Sequence, residues 1–115
     1  MKVIQFVPTL ESGGVEQGVI EISKALVDAG HESHVVSAGG RLVDQLIHEG
    51  TSHHDWKLHK KSILTFRQIN PLAKWIKEMN ADILHVRYRM PAWIVWKALK
   101  KIPENKRPHL VSTIH

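Results

Sequence analysis

Residues 2–37 read KVIQFVPTLESGGVEQGVIEISKALVDAGHESHVVS, and this stretch decides the architecture. Lys2 to Val7 form an apolar run rich in β-branched residues that Pro8 stops, which predicts a buried strand. Residues 9–14 (TLESGG) predict a loop. Val15, Val19, Ile22, Leu26 and Ala29 then recur at spacings of four, three, four and three, the inner face of a helix. Glu16, Gln17, Glu21, Lys24 and Asp28 fill its outer face, and Gly30 is the expected stop. His34 to Ser37 predict a second strand, broken by Gly39-Gly40. Strand, glycine loop, amphipathic helix and strand in that order make a βαβ unit, which requires parallel strands and a right-handed crossover.

The alternation continues outward. Leu42, Val43, Leu46 and Ile47 predict a short helix that Gly50 ends, and a weaker strand is expected near residues 51–58. Asn70-Pro71 reads as an N-cap followed by proline at the first helical position, with Leu72, Ala73, Ile76 and Met79 on one face. Asp82 to Val86 predict a strand, Ala92 to Lys101 a helix with a basic end, and Leu110 to Ile114 a last strand. The whole is a doubly wound α/β plan over residues 1–115, with a parallel sheet, the first strand central and helix 15–29 packed on it. His115 directly follows an apolar strand with no covering helix, so the domain is expected to be incomplete at its C-terminus.

Composition narrows the function classes. A chain of 115 residues is one domain at most and buries roughly two-thirds of its surface, enough for one core. Its 43% apolar and 23% charged residues are ordinary for a globular protein. Without cysteine, disulfides and thiolate metal sites are excluded. The N-terminal apolar run is too short for a signal peptide or a membrane span, so a soluble, cytoplasmic chain is expected. A net charge of +5 favours anionic partners. Nucleic acid is not expected, because basic and aromatic residues are not interleaved as in a base-stacking sheet.

Several constellations can carry chemistry. Ser12-Gly13-Gly14 joins the first strand to the first helix, where exposed N–H groups can hold an anion; by itself it reads first as a tight βα turn. Dinucleotide binding is not expected: the glycine spacing differs from Gly-x-Gly-x-x-Gly, and the second strand ends in Ser37-Ala38-Gly39 rather than an acid. No Gly-Lys-Ser/Thr occurs, so there is no P-loop. Arg87 and Arg89 follow the Asp82–Val86 strand, and period-two spacing would point both to one side as an anion clamp, or each pairs with a carboxylate. His85, inside an apolar strand, reads as a hydrogen-bonded core histidine. His48, His53, His54 and His59 lack zinc-motif spacing, so no metal site is expected among them. Trp56, Lys57, Lys60 and Lys61 form a basic segment that can lie against anionic headgroups, or a solvated loop.

Taken in succession, these motifs resemble a known family. A strand, then Gly-Gly-Val-Glu (residues 13–16), then an apolar helix closing in Ala-Gly-His-Glu (residues 29–32), is similar to the beginning of many family 4 retaining glycosyltransferases. Asp82-Ile83-Leu84-His85-Val86 resembles that family's next landmark strand. Arg87-Tyr88-Arg89-Met90-Pro91-Ala92-Trp93 is similar to a variant of lipopolysaccharide-type bacterial members, and Val111 to His115 looks like the family's Thr-x-His strand end. The resemblance implies the N-terminal half of a GT-B fold, with two Rossmann-like domains around a cleft and the donor-binding domain absent here. It implies a nucleotide-sugar as co-substrate, a glycolipid or saccharide acceptor, retention of configuration, and no cofactor or required metal. Gly13, Gly14, Val15 and Glu16 would then bind substrate, the glycines facing the donor's phosphates, with Arg89 as a further substrate contact. Arg87 and His115 would be the catalytic contacts; many relatives place a histidine or an acid where Arg87 stands. The alternative is a non-catalytic Rossmann-like module that binds a phosphorylated ligand. A flavodoxin-like or response-regulator-like domain is a third reading; the latter would want an acidic cluster after the first strand, and none is present.

Overall fold

The computed structural model describes residues 1–10, 14–56, 67–87 and 89–112, with the backbone alone for 89–91. In chain order the elements are β1 (Lys2–Phe6), α1 (Gly14–Asp28), β2 (Glu32–Ser37), α2 (Val43–His48), β3 (Ser52–Asp55), α3 (Ile69–Met79), β4 (Ile83–Val86), α4 (Arg89–Leu99), a 3-10 turn (Glu104–Lys106) and β5 (His109–Ser112). The strands form one sheet in the order β3-β2-β1-β4-β5, and every pairing is parallel. The first strand is therefore central, as the βαβ reading requires.

Alternating side chains of this sheet enter two cores. Ile4, Phe6, Val36, Leu84 and Val86 pack on one face against Leu72 and Ile76 of α3 and Ile94, Val95 and Ala98 of α4. Val7 and Val35 pack on the other against Val19 and Ile20 of α1 and Leu46 of α2. Helices thus cover both faces, which is why β1 reads as a continuous apolar run rather than an alternation.

Helix α1 is amphipathic and ends as expected. The His31 amide bonds back to the Leu26 carbonyl at 2.9 Å, while Gly30 takes the left-handed φ of 85° that closes this C-terminal motif. Its inner face, however, differs from the predicted Val15-Val19-Ile22-Leu26-Ala29 stripe. Val19, Ile20 and Ser23 are the buried residues, Leu26 is half-buried, and Ile22 is 40% exposed. The helix is turned by about one residue because Ser23 must face the sheet, where a polar partner waits in β1.

Other boundaries shift for local reasons. Gln68, not Asn70, caps α3, and Pro71 falls within the first turn, where its missing N–H leaves no bond unmade. Helix α4 opens at Arg89, earlier than the expected Ala92, again with a proline (Pro91) in its first turn. Strand β5 is described from His109 to Ser112; residues 113–115 of the expected last strand lie outside the described residues.

The loops after β1 and β2 are clamped together. Leu10 N donates to Gly39 O and Leu42 N to Leu10 O, both at 2.9 Å, and Ala38 N donates to Pro8 O at 2.9 Å. A Cβ on Gly40 would stand 2.4 Å from the Leu10 carbonyl oxygen, and Gly40 has φ 149°. Only glycine combines that backbone angle with so close an approach.

Two outcomes follow for thermal unfolding. Val19→Asp puts a charge at a fully buried position, a penalty comparable with the whole stability of a domain, about 5–15 kcal/mol, so the cooperative transition should vanish. Gly40→Ala should destabilise by about 2–4 kcal/mol through strain and overlap. Gly14→Ala, whose Cβ would meet nothing within 4 Å, is the control and should leave Tm unchanged.

Candidate functional site

The chain runs from β1 through β2 and β3 on one side, then crosses to β4 and β5 on the other. Strand order therefore reverses between β1 and β4, and in open α/β sheets the carboxyl ends of the strands at such a point are where ligands bind. Arg87 lies immediately beyond β4 at this point, its amide bonded to the Phe6 carbonyl at 3.2 Å. The N-terminus of α1, beginning at Gly14, follows β1 at the same edge.

Arg87 is 93% removed from solvent, with a relative exposure of 7%. Its Nη2 donates to Gln5 Oε1 at 3.0 Å, and Gln5 Nε2 donates to Ser23 Oγ at 2.9 Å. This buried chain ties β4, β1 and α1 together and sets the guanidinium on the side of the sheet that α1 covers. The Gln5 amide thereby fixes the orientation of the guanidinium at this edge of the sheet. The helix N-terminus adds N–H groups that have no intrahelical partner and the positive end of its dipole. Together these features suit a phosphate or carboxylate.

The structure places the expected site residues unequally. Gly14 opens α1 at an exposed position, followed by half-buried Val15 and Glu16 in the first turn. Gly13 and His115 lie outside the described residues. Arg89 does not extend the strand: β4 stops at Val86 and Arg89 heads α4, so period-two spacing does not relate it to Arg87. The helix that Pro91 helps to start replaces the extended backbone that the clamp required. His85 is half-buried on β4, opposite Gln5 in the register. Gln5 and Ser23 escaped the sequence reading, although a glutamine inside an apolar strand is a signal, since a buried amide demands partners.

The histidines on the other side of β1 take separate roles. His53 and His54 alternate on β3. Ser37 Oγ lies 2.6 Å from His53 Nε2, while His54 Nε2 lies 3.0 Å from His34 Nδ1 and its ring meets Trp75 edge-on at 4.9 Å. His34 Nε2 in turn lies 2.5 Å from a Glu32 carboxylate oxygen, so Glu32, His34 and His54 form one hydrogen-bonded chain. Among the described residues no group of three or more His, Cys, Asp or Glu side chains is placed to hold a metal ion. Trp56, expected at a membrane surface, is half-buried against the core beside Trp75, at 6.0 Å between ring centres. Lys57, Lys60 and Lys61 lie outside the described residues. Among the described residues no helix is long and apolar enough to cross a membrane.

Burial pushes His53 and His54 below the ordinary histidine value of 6.5, helped at His54 by the neighbouring His34 and His53 and opposed at His53 by Asp55. Both are thus more readily protonated when unfolded. Stability should be full above about pH 6.5 and fall as acidification passes that value toward the folded pKa values. Urea midpoints measured across this range should show the fall, and His54→Gln should flatten it.

Comparison with known proteins was made against this geometry. Residues 12–115 match the profile described as Glycosyltransferase Family 4. A crystal structure of a glycosyltransferase from Rickettsia africae ESF-5 is similar, with 35% sequence identity and a TM-score of 0.80. The alignment covers 96% of this chain and 28% of that one, so the chain spans just over a quarter of that structure's length. No curated protein matches. With a family match across nearly its whole length and a parallel α/β sheet in the same arrangement as a solved glycosyltransferase, the chain belongs to glycosyltransferase family 4.

Proposed function

We propose that this chain is the acceptor-side domain of a nucleotide-sugar-dependent retaining glycosyltransferase that builds a bacterial surface glycolipid or polysaccharide at the inner face of the membrane. The observation that carries the reading is Arg87, buried where the strand order reverses and held by Gln5, at the sheet edge from which the chain enters α1. Breaking the bond between sugar and nucleotide leaves negative charge on the departing diphosphate. Groups that meet this charge as it develops accelerate the step, and they act most strongly when pre-oriented in a site shielded from water. Arg87 and the N–H groups at Gly14 are such groups, with Gly13 completing the loop. The donor's nucleotide is held by a second domain, and no metal is needed once cationic side chain and helix terminus supply the positive charge. Arg89 and His115 are the further substrate contacts in this reading.

Kinetics of the two-domain enzyme test this. Arg87→Ala should lose about 1.5–3 kcal/mol of transition-state stabilisation, or roughly 10- to 150-fold in kcat/KM. Gly14→Val should lower activity by blocking close approach while leaving Tm unchanged, because the substituted side chain enters open space. The 115-residue chain alone should transfer no sugar. Turnover by the chain alone, or unchanged kinetics in Arg87→Ala, would refute the assignment; tight phosphate binding without turnover in the two-domain protein would favour a binding module.

A further inference from the structure

Helix α4 buries Ile94, Val95, Ala98 and Leu99, yet its outer face carries two large aromatics, Trp93 at 37% and Trp96 at 44% exposure. Helical spacing sets Trp93, Trp96 and Lys97 along one stripe, which Lys100 and Lys101 continue just past the helix end. Lys100 Nζ sits 3.7 Å from the centre of the Trp96 ring, and Lys97 Nζ lies 5.5 and 5.4 Å from the Trp93 and Trp96 rings. Trp93, Lys97 and Lys101 join Ile69 of α3 around an open groove of about 430 Å³. From Arg89 to Pro103 the sequence has no acidic residue.

We propose that this stripe is a docking surface for an anionic phospholipid bilayer, with both indoles at the headgroup level and the three lysines on lipid phosphates. Charge complementarity selects the occupant. Tryptophan is amphipathic and partitions to the boundary between acyl chain and headgroup, while lysine stems lie along apolar surface and carry their charge outward. Each lysine near an anionic membrane strengthens partitioning by roughly fivefold, so three contribute on the order of 100-fold. A protein partner would want acidic side chains and a complementary apolar shape; a fluid anionic surface asks only for this combination. The inference rests on the membrane-facing reading above and moves the contact from the Trp56 segment, whose indole packs on the core, to α4.

The test is co-sedimentation of the chain with vesicles of phosphatidylcholine alone and of phosphatidylcholine mixed equally with phosphatidylglycerol. Binding should occur with the mixed vesicles, weaken steeply at high salt, and be negligible with phosphatidylcholine. K97Q/K100Q/K101Q should lower partitioning on the order of 100-fold, and Trp93→Ser with Trp96→Ser should abolish it at unchanged Tm. Removing Lys74 and Lys77 from α3 is the charge control. If that control reduces binding as much as the α4 lysine variant, the attraction is only net charge and the proposal fails. If the α4 variants still bind while a variant of Trp56, Lys57, Lys60 and Lys61 does not, the membrane reading stands and this surface is wrong. If no vesicle is bound, both are overturned, whereas the transferase reading is judged separately by turnover.

Discussion

A glutamine amide lies in the middle of the central strand, with strands on both sides and helices on both faces. Gln5 is 1% exposed, and an unsatisfied amide there would cost about 1–3 kcal/mol. Its partners are one hydroxyl from α1 and one guanidinium from beyond β4. That requirement fixes the roll of α1, which turns Ser23 inward and leaves Ile22 partly in solvent. It also fixes Arg87, drawn inward instead of out toward water. The same bond that completes the core therefore places the cation for which the site is best suited.

Backbone pairing beyond the strands does comparable work for the loops. Parallel strands end with their carboxyl groups on one edge, and the segments that follow would ordinarily be the most mobile part of such a fold. Here the Pro8–Leu10 segment is bonded to Ala38, Gly39 and Leu42, and Gly40 lets the two backbones touch. The path from β1 into α1 is thus held at its outset.

Polar character is distributed unevenly across the sheet. The β1–β4 side holds the cation, while the β2–β3 side holds a chain of imidazoles that ends on Glu32, whose pKa is lowered chiefly by its bond to His34 and further by Lys2. The first arrangement holds a guanidinium in a fixed orientation beyond the end of β4. The second couples the edge strand to pH and to the aromatic packing of Trp75 and Trp56.

Local patterning was sufficient for the architecture. Period-two and helical spacings, glycine stops and the βαβ order determined a parallel sheet with β1 central, because covering both faces of a strand leaves a mark on every residue of it. Even the weak strand at Ser52–Asp55 was legible from its place in the alternation. The motifs also carried the family resemblance. What the sequence could not decide was the inner face of α1, the hand-off from β4 to α4, and the true surroundings of Arg87 and Trp56. Those depend on contacts between residues far apart in the chain: Arg87 with Gln5, separated by 82 positions, and Gly40 with Leu10, separated by 30. A buried polar group chooses its partner in three dimensions, and no spacing along one element records that choice.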